Sequence, residues 1–101
     1  MDKLAELEPL WDEAGFADFL KGLSEDDAPR LFAIAHEYGT RHDGWIAAWG
    51  MAFRDRAEVV STEGDFRTST QSPDSALAMF ARMAGGEDVK LHLLWLTPPR
   101  S

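Results

Sequence analysis

Cysteine is absent from this chain of 101 residues, which removes disulfides, thiolate nucleophiles and cysteine metal ligands together. A small core without disulfides also argues against a secreted, stapled scaffold. No apolar run approaches the ~18 residues that span a bilayer. The first residues, Met1-Asp2-Lys3-Leu4-Ala5-Glu6, are acidic and lack the apolar stretch of a signal peptide. The expectation by elimination is a cytoplasmic protein with no membrane association.

Clustered basic residues are missing as well. The net charge is −8, a field that repels nucleic acid and anionic lipid, so no direct nucleic-acid binding is expected. The excess is uneven: residues 1–43 hold four Lys and Arg against eleven Asp and Glu, whereas residues 44–101 hold six against seven. Solubility is the plainer reading of that acidity. Asparagine is absent too, Ala, Gly and Asp are frequent, and Arg outnumbers Lys. This bias fits a high-GC bacterial or phage genome.

Catalytic motifs are equally scarce. No G-x-S-x-G elbow exists, and Gly85-Gly86 follows a predicted helix instead of opening one, so it is no phosphate loop. His36 and His42 stand six residues apart, with Asp43 next. The intervening helix end keeps them off a common helical face, so a metal site is not expected. His92 alternates inside an apolar run and reads as structural. A general acid needs a carboxylate in a dry pocket, and Glu25-Asp26-Asp27 reads as a solvent-facing joint. No cofactor is implied, and the chain reads as non-enzymatic.

What is present is an aromatic load, four Trp and six Phe, each worth about 150–250 Å² of burial. Leu4, Leu7, Trp11 and Ala14, then Phe16, Phe19, Leu20 and Leu23, recur at three- and four-residue spacing and predict a helix over residues 3–23. Pro9 should kink it or restart it. Leu31, Phe32, Ala35 and Tyr38 predict a second helix over 28–38, capped by Asp27 and stopped by Gly39. Strands are expected over 45–53, where helix competes, then over 57–62 and 66–70 around Glu63-Gly64-Asp65, and over 89–96. Ser72-Pro73-Asp74 opens a helix that runs to Gly85. The fold class expected is therefore α+β: an N-terminal helical hairpin followed by a small β-β-β-α-β sheet of order 3-2-1-4. It forms one domain over 1–101, with an acidic helical part (1–43) and a sheet with one helix (44–101).

Several surfaces then remain as binding candidates. Trp45 and Trp49, four apart, share one face whether the segment is strand or helix, and serve either as core or as anchors at a partner interface. Asp12, Glu13 and Asp18, continuing into Asp26 and Asp27, form the concentrated acidic face. Arg54 and Arg56 flank Asp55 in a turn. The last strand, with only Lys90 and His92 as guards, is an apolar edge open to a homodimer or an added partner strand. The function expected is a small acidic protein-binding module: a regulator, inhibitor, immunity-type or accessory factor. One alternative is an acidic nucleic-acid mimic that blocks a nucleic-acid-binding enzyme. Another is a small enzyme or ligand-binding α+β module.

Overall fold

A computed structural model of the chain describes residues 8–86 and 88–98. Helix α1 (Glu13–Asp27) leads into four consecutive strands, β1 (Arg30–Tyr38), β2 (Asp43–Ala52), β3 (Ala57–Ser61) and β4 (Arg67–Thr70). Helix α2 (Pro73–Ala84) and strand β5 (Val89–Trp95) complete an α+β single domain. The sheet has the order β4-β3-β2-β1-β5, and every neighbouring pair is antiparallel.

The expected helix over 28–38 is a strand, the central one of the sheet. Its helical spacing of Leu31, Phe32, Ala35 and Tyr38 coexists with an alternation that pairing on both sides selects. Phe32 and Ile34 point into the core at 0% exposure, while Ala33 sits between them on the other side. Cross-strand packing overrides the helix propensity of Leu, Ala and Glu. The expected hairpin of helices is therefore one helix, and Ser24–Asp27 is its last turn instead of a joint. The expected order 3-2-1-4 is broken by the same event. Strand β1 inserts between β2 and β5, so the segments 45–53 and 89–96 run parallel without pairing. The part of the expected first helix over residues 3–7 lies outside the described residues. Pro9 precedes the helix, which starts at Glu13 behind Asp12.

The core lies on one side of the sheet under α2. Ala76 and Phe80 of α2 meet Phe32, Ile34, Ala48, Ala57 and Val59. Helix α2 has the expected ends. The Ser72 hydroxyl accepts from the Ser75 N–H, Pro73 occupies the first turn, and Gly85 ends the helix in the left-handed conformation at φ 63°. Phe32 lies over Gly50, and a Cβ on Gly50 would fall inside the ring. Only glycine permits that approach.

One irregularity decides where the tryptophans go. The register of β1 with β2 slips between Ile34 and Ala35, leaving Ala47 unpaired as a bulge. Before the slip Trp49 pairs with Ala33, and after it Trp45 pairs with His36. Ala33 and His36 stand three apart on β1, hence on opposite faces. Trp45 and Trp49 therefore do not share a face, contrary to the regular-strand expectation.

Candidate protein-binding surface

An antiparallel sheet with one covered face normally turns polar residues to water on the other. The middle of this sheet's open face does not, and Glu58, Arg67, Lys90 and His92 stand at its edges. On the side away from α2, Leu31 pairs with Met51, Ala33 pairs with both Trp49 and Leu94, and Trp49 pairs with Val60. These residues form one apolar surface across β5, β1, β2 and β3. Leu31, Trp49, Met51 and Leu94 are each 41–47% exposed, whereas Ala33 is shielded by its larger neighbours. A shallow depression of about 450 Å³ runs between Leu31, Trp49, Met51 and Val60.

The rim of this surface is polar and ordered by hydrogen bonds. At the end nearest the β1–β2 turn, His92 Nε2 lies 2.7 Å from Glu37 Oε1, and the Arg41 backbone N–H donates to Glu37 Oε2 at 2.8 Å. The His92 hydrogen bond, followed by the Arg41 N–H, holds the Glu37 carboxyl below its usual range. At the opposite side the Ser69 hydroxyl donates to Glu58 at 2.6 Å, and Arg56 Nε donates to it at 2.8 Å. The Ser69 bond and then the Arg56 bond depress the Glu58 pKa, and Glu58 in turn raises that of Arg56. An apolar centre inside a satisfied polar rim is the anatomy of a protein interface.

Helix α1 presents the second apolar surface. Phe16, Phe19, Leu20 and Leu23 make a stripe along it, and Trp11 stacks on Phe19 with ring centroids 5.1 Å apart. None of its residues is buried, and it makes no more than marginal contact with the sheet. The described part of the chain is accordingly long, 64 × 31 × 22 Å, with a radius of gyration of 19.7 Å. A compact domain of this length has a radius of gyration near 13 Å.

The sequence-derived candidates distribute around these two surfaces. Trp49 lies within the open sheet face. Trp45 lies on the other face beyond α2, against His36 at 5.2 Å between ring centroids. His36 Nε2 is buried without a hydrogen-bond partner, and burial lowers the pKa of the ring. Asp12 is a helix cap, its carboxylate accepting from the Gly15 N–H at 2.6 Å. Glu13 and Asp18 follow on α1, and Asp26 and Asp27 close its last turn. Asp26, Asp27, Arg54 and Arg56 border an open hollow of about 760 Å³ at the joint between α1 and the sheet. Arg56 is committed there to Asp55 and Glu58 and lies over the Phe53 ring at 4.3 Å. Lys90 and His92 alternate outward along β5, which is an edge strand as expected.

Sequence reasoning missed Leu31, Met51 and Leu94. Leu31 lies on a strand where the spacing predicts a helix, and Met51 and Leu94 lie on expected strands whose apolar runs do not show which face stays open. Arg30 was also missed. Its guanidinium stacks over Trp95 at 3.9 Å and Nη2 donates to the Thr97 carbonyl at 3.3 Å, tying the end of β5 to the start of β1. Among the described residues no three His, Asp or Glu side chains converge on a metal position, and no helix is long and apolar enough to cross a membrane. No protein-family model, curated protein or solved structure matches the chain.

Proposed function

We propose that this chain is a non-enzymatic protein-binding module, a small regulator, inhibitor, immunity-type or accessory factor, that works through the open face of its sheet. The observation that carries this reading is the continuous apolar surface of Leu31, Trp49, Met51, Val60 and Leu94 where a solvated sheet would be polar. Trp49 stands near its middle, the position and residue type from which interfaces draw most of their energy. The paired groups at the rim, Glu37 with His92 and Glu58 with Ser69 and Arg56, fix orientation without charges left to be desolvated at the centre.

Affinity capture from the native extract tests this role. The wild-type chain should recover a protein in stoichiometric amount, and Met51→Asp should lose it while keeping its far-ultraviolet spectrum. Equal recovery by both proteins would move the interface elsewhere on the molecule.

A further inference from the structure

Two apolar surfaces stand uncovered in the same chain, one on a helix and one on a sheet. Building on the reading that the open face binds protein, we propose that its occupant is a second copy of this chain. Helix α1 of each copy lies across the open sheet face of the other, making a helix-swapped homodimer.

The joint between α1 and β1 decides between packing within one chain and packing between two. It consists of Ala28 and Pro29. Ala28 is extended at φ −61° and ψ 136°, and the ring of the following proline disfavours a helical conformation there. Pro29 fixes its own φ near −65°. Helix α2 shows the alternative within the same molecule. It leaves through left-handed Gly85 and so returns β5 along the sheet that α2 covers. The joint of α1 has no such residue and carries the helix away from its own sheet, in keeping with the 64 Å long axis. A joint too short to turn the helix back onto its own sheet favours exchange of that helix between copies.

The dimensions agree. At 1.5 Å per residue, the 15 residues of α1 span about 22 Å and are about 10 Å across with their side chains. Four strands at about 4.8 Å spacing offer a face on the order of 15–19 Å wide. The stripe of Phe16, Phe19, Leu20 and Leu23 has the length and width to cover Leu31, Trp49, Met51 and Leu94. A two-fold arrangement makes that contact twice. The flat footprint, counted on both partners, is on the order of 900 Å², and side-chain relief raises the accessible area past the ~1,000 Å² at which specific interfaces begin.

Light scattering on the full chain at tens of micromolar should give a dimer mass, and a monomer mass would overturn the proposal. Phe16→Glu with Leu20→Glu, placed on a helix that the sheet does not need, should give a monomer. A dimer that persists in this variant is held by other contacts, such as β5 edge pairing, and also overturns it. Inserting Gly-Ser-Gly-Ser after Ala28 should let α1 fold back on its own sheet and convert dimer to monomer. The absence of native cysteine makes a direct test clean. A Leu20→Cys chain mixed with a size-tagged Met51→Cys chain should yield the mixed product with a bismaleimide, and a Glu63→Cys chain in place of Met51→Cys should not. Should the chain prove monomeric while Met51→Asp still abolishes capture of a foreign protein, the homodimer fails and the binding role survives. Loss of both results refutes both.

Discussion

Phe32 and Gly50 face each other across the β1–β2 ladder, and the ring fills the space where a side chain on Gly50 would begin. Ring and backbone are both fixed by pairing on two sides, so neither has a cheap way to move. Gly50→Ala should therefore destabilise the fold by about 1–3 kcal/mol through overpacking. For a domain of this size that is a fall in Tm of at least ~4 °C, measurable by thermal denaturation. His36 makes a second local prediction. Burial lowers its pKa from 6.5 in the folded chain, so below about pH 6.5 the unfolded chain binds a proton that the folded chain refuses. Stability then falls with pH until the lowered folded pKa is reached. Glu37 and Glu58 work in a lower window. Their depressed values give stability that is present above pH 4.5 and lost as pH falls through them. The urea midpoint should be lower at pH 5.5 than at pH 7.5. His36→Phe, which keeps a ring against Trp45, should remove a measurable part of that difference, and an unchanged difference would clear His36 of the role.

At the level of elements, legibility followed how much of the signal was local. Helix α2 was readable to the residue because its ends are made by Ser72, Pro73 and Gly85 acting on their own backbone neighbours. The β3–β4 hairpin was readable for a similar reason, with Gly64 at φ 78° in its turn. Strand β1 was not. Leu31, Phe32, Ala35 and Tyr38 satisfy a helical period, while the unbroken apolar run over residues 31–35 suits a strand covered by neighbours, and only two flanking strands decide between them. The bulge at Ala47 left no local signature, so the parting of Trp45 and Trp49 was invisible to spacing alone. The cap of α2 is thus a point where local and global stability coincide, since α2 covers the core. Ser72→Ala should cost about 1 kcal/mol, read as a lower urea midpoint with an unchanged slope.

For the molecule as a whole, the sequence announced an acidic half and an aromatic load but not their relation. Charge counting assigned residues 1–43 to one helical unit, yet the boundary that matters falls at Ala28-Pro29, where the acidic helix ends and the sheet begins. On the helix side lie exposed Phe16, Phe19, Leu20 and Leu23, and on the sheet side lie exposed Leu31, Trp49, Met51 and Leu94. A chain this small buries only about two-thirds of its unfolded surface at best, so leaving both surfaces wet costs it a large share of its stability. Reciprocal helix exchange joins the two deficits, and it makes stability depend on concentration. Dimer dissociation then enters the unfolding equilibrium, with about 1.4 kcal/mol for each tenfold change in concentration. Spread over the unfolding entropy of two chains, that amounts to about 3–5 °C in Tm per decade. Calorimetry between 5 and 500 µM, on the order of two decades, should show this rise for the wild-type chain and none for Phe16→Glu with Leu20→Glu. A wild-type Tm independent of concentration would leave the sheet face without its own helix as occupant.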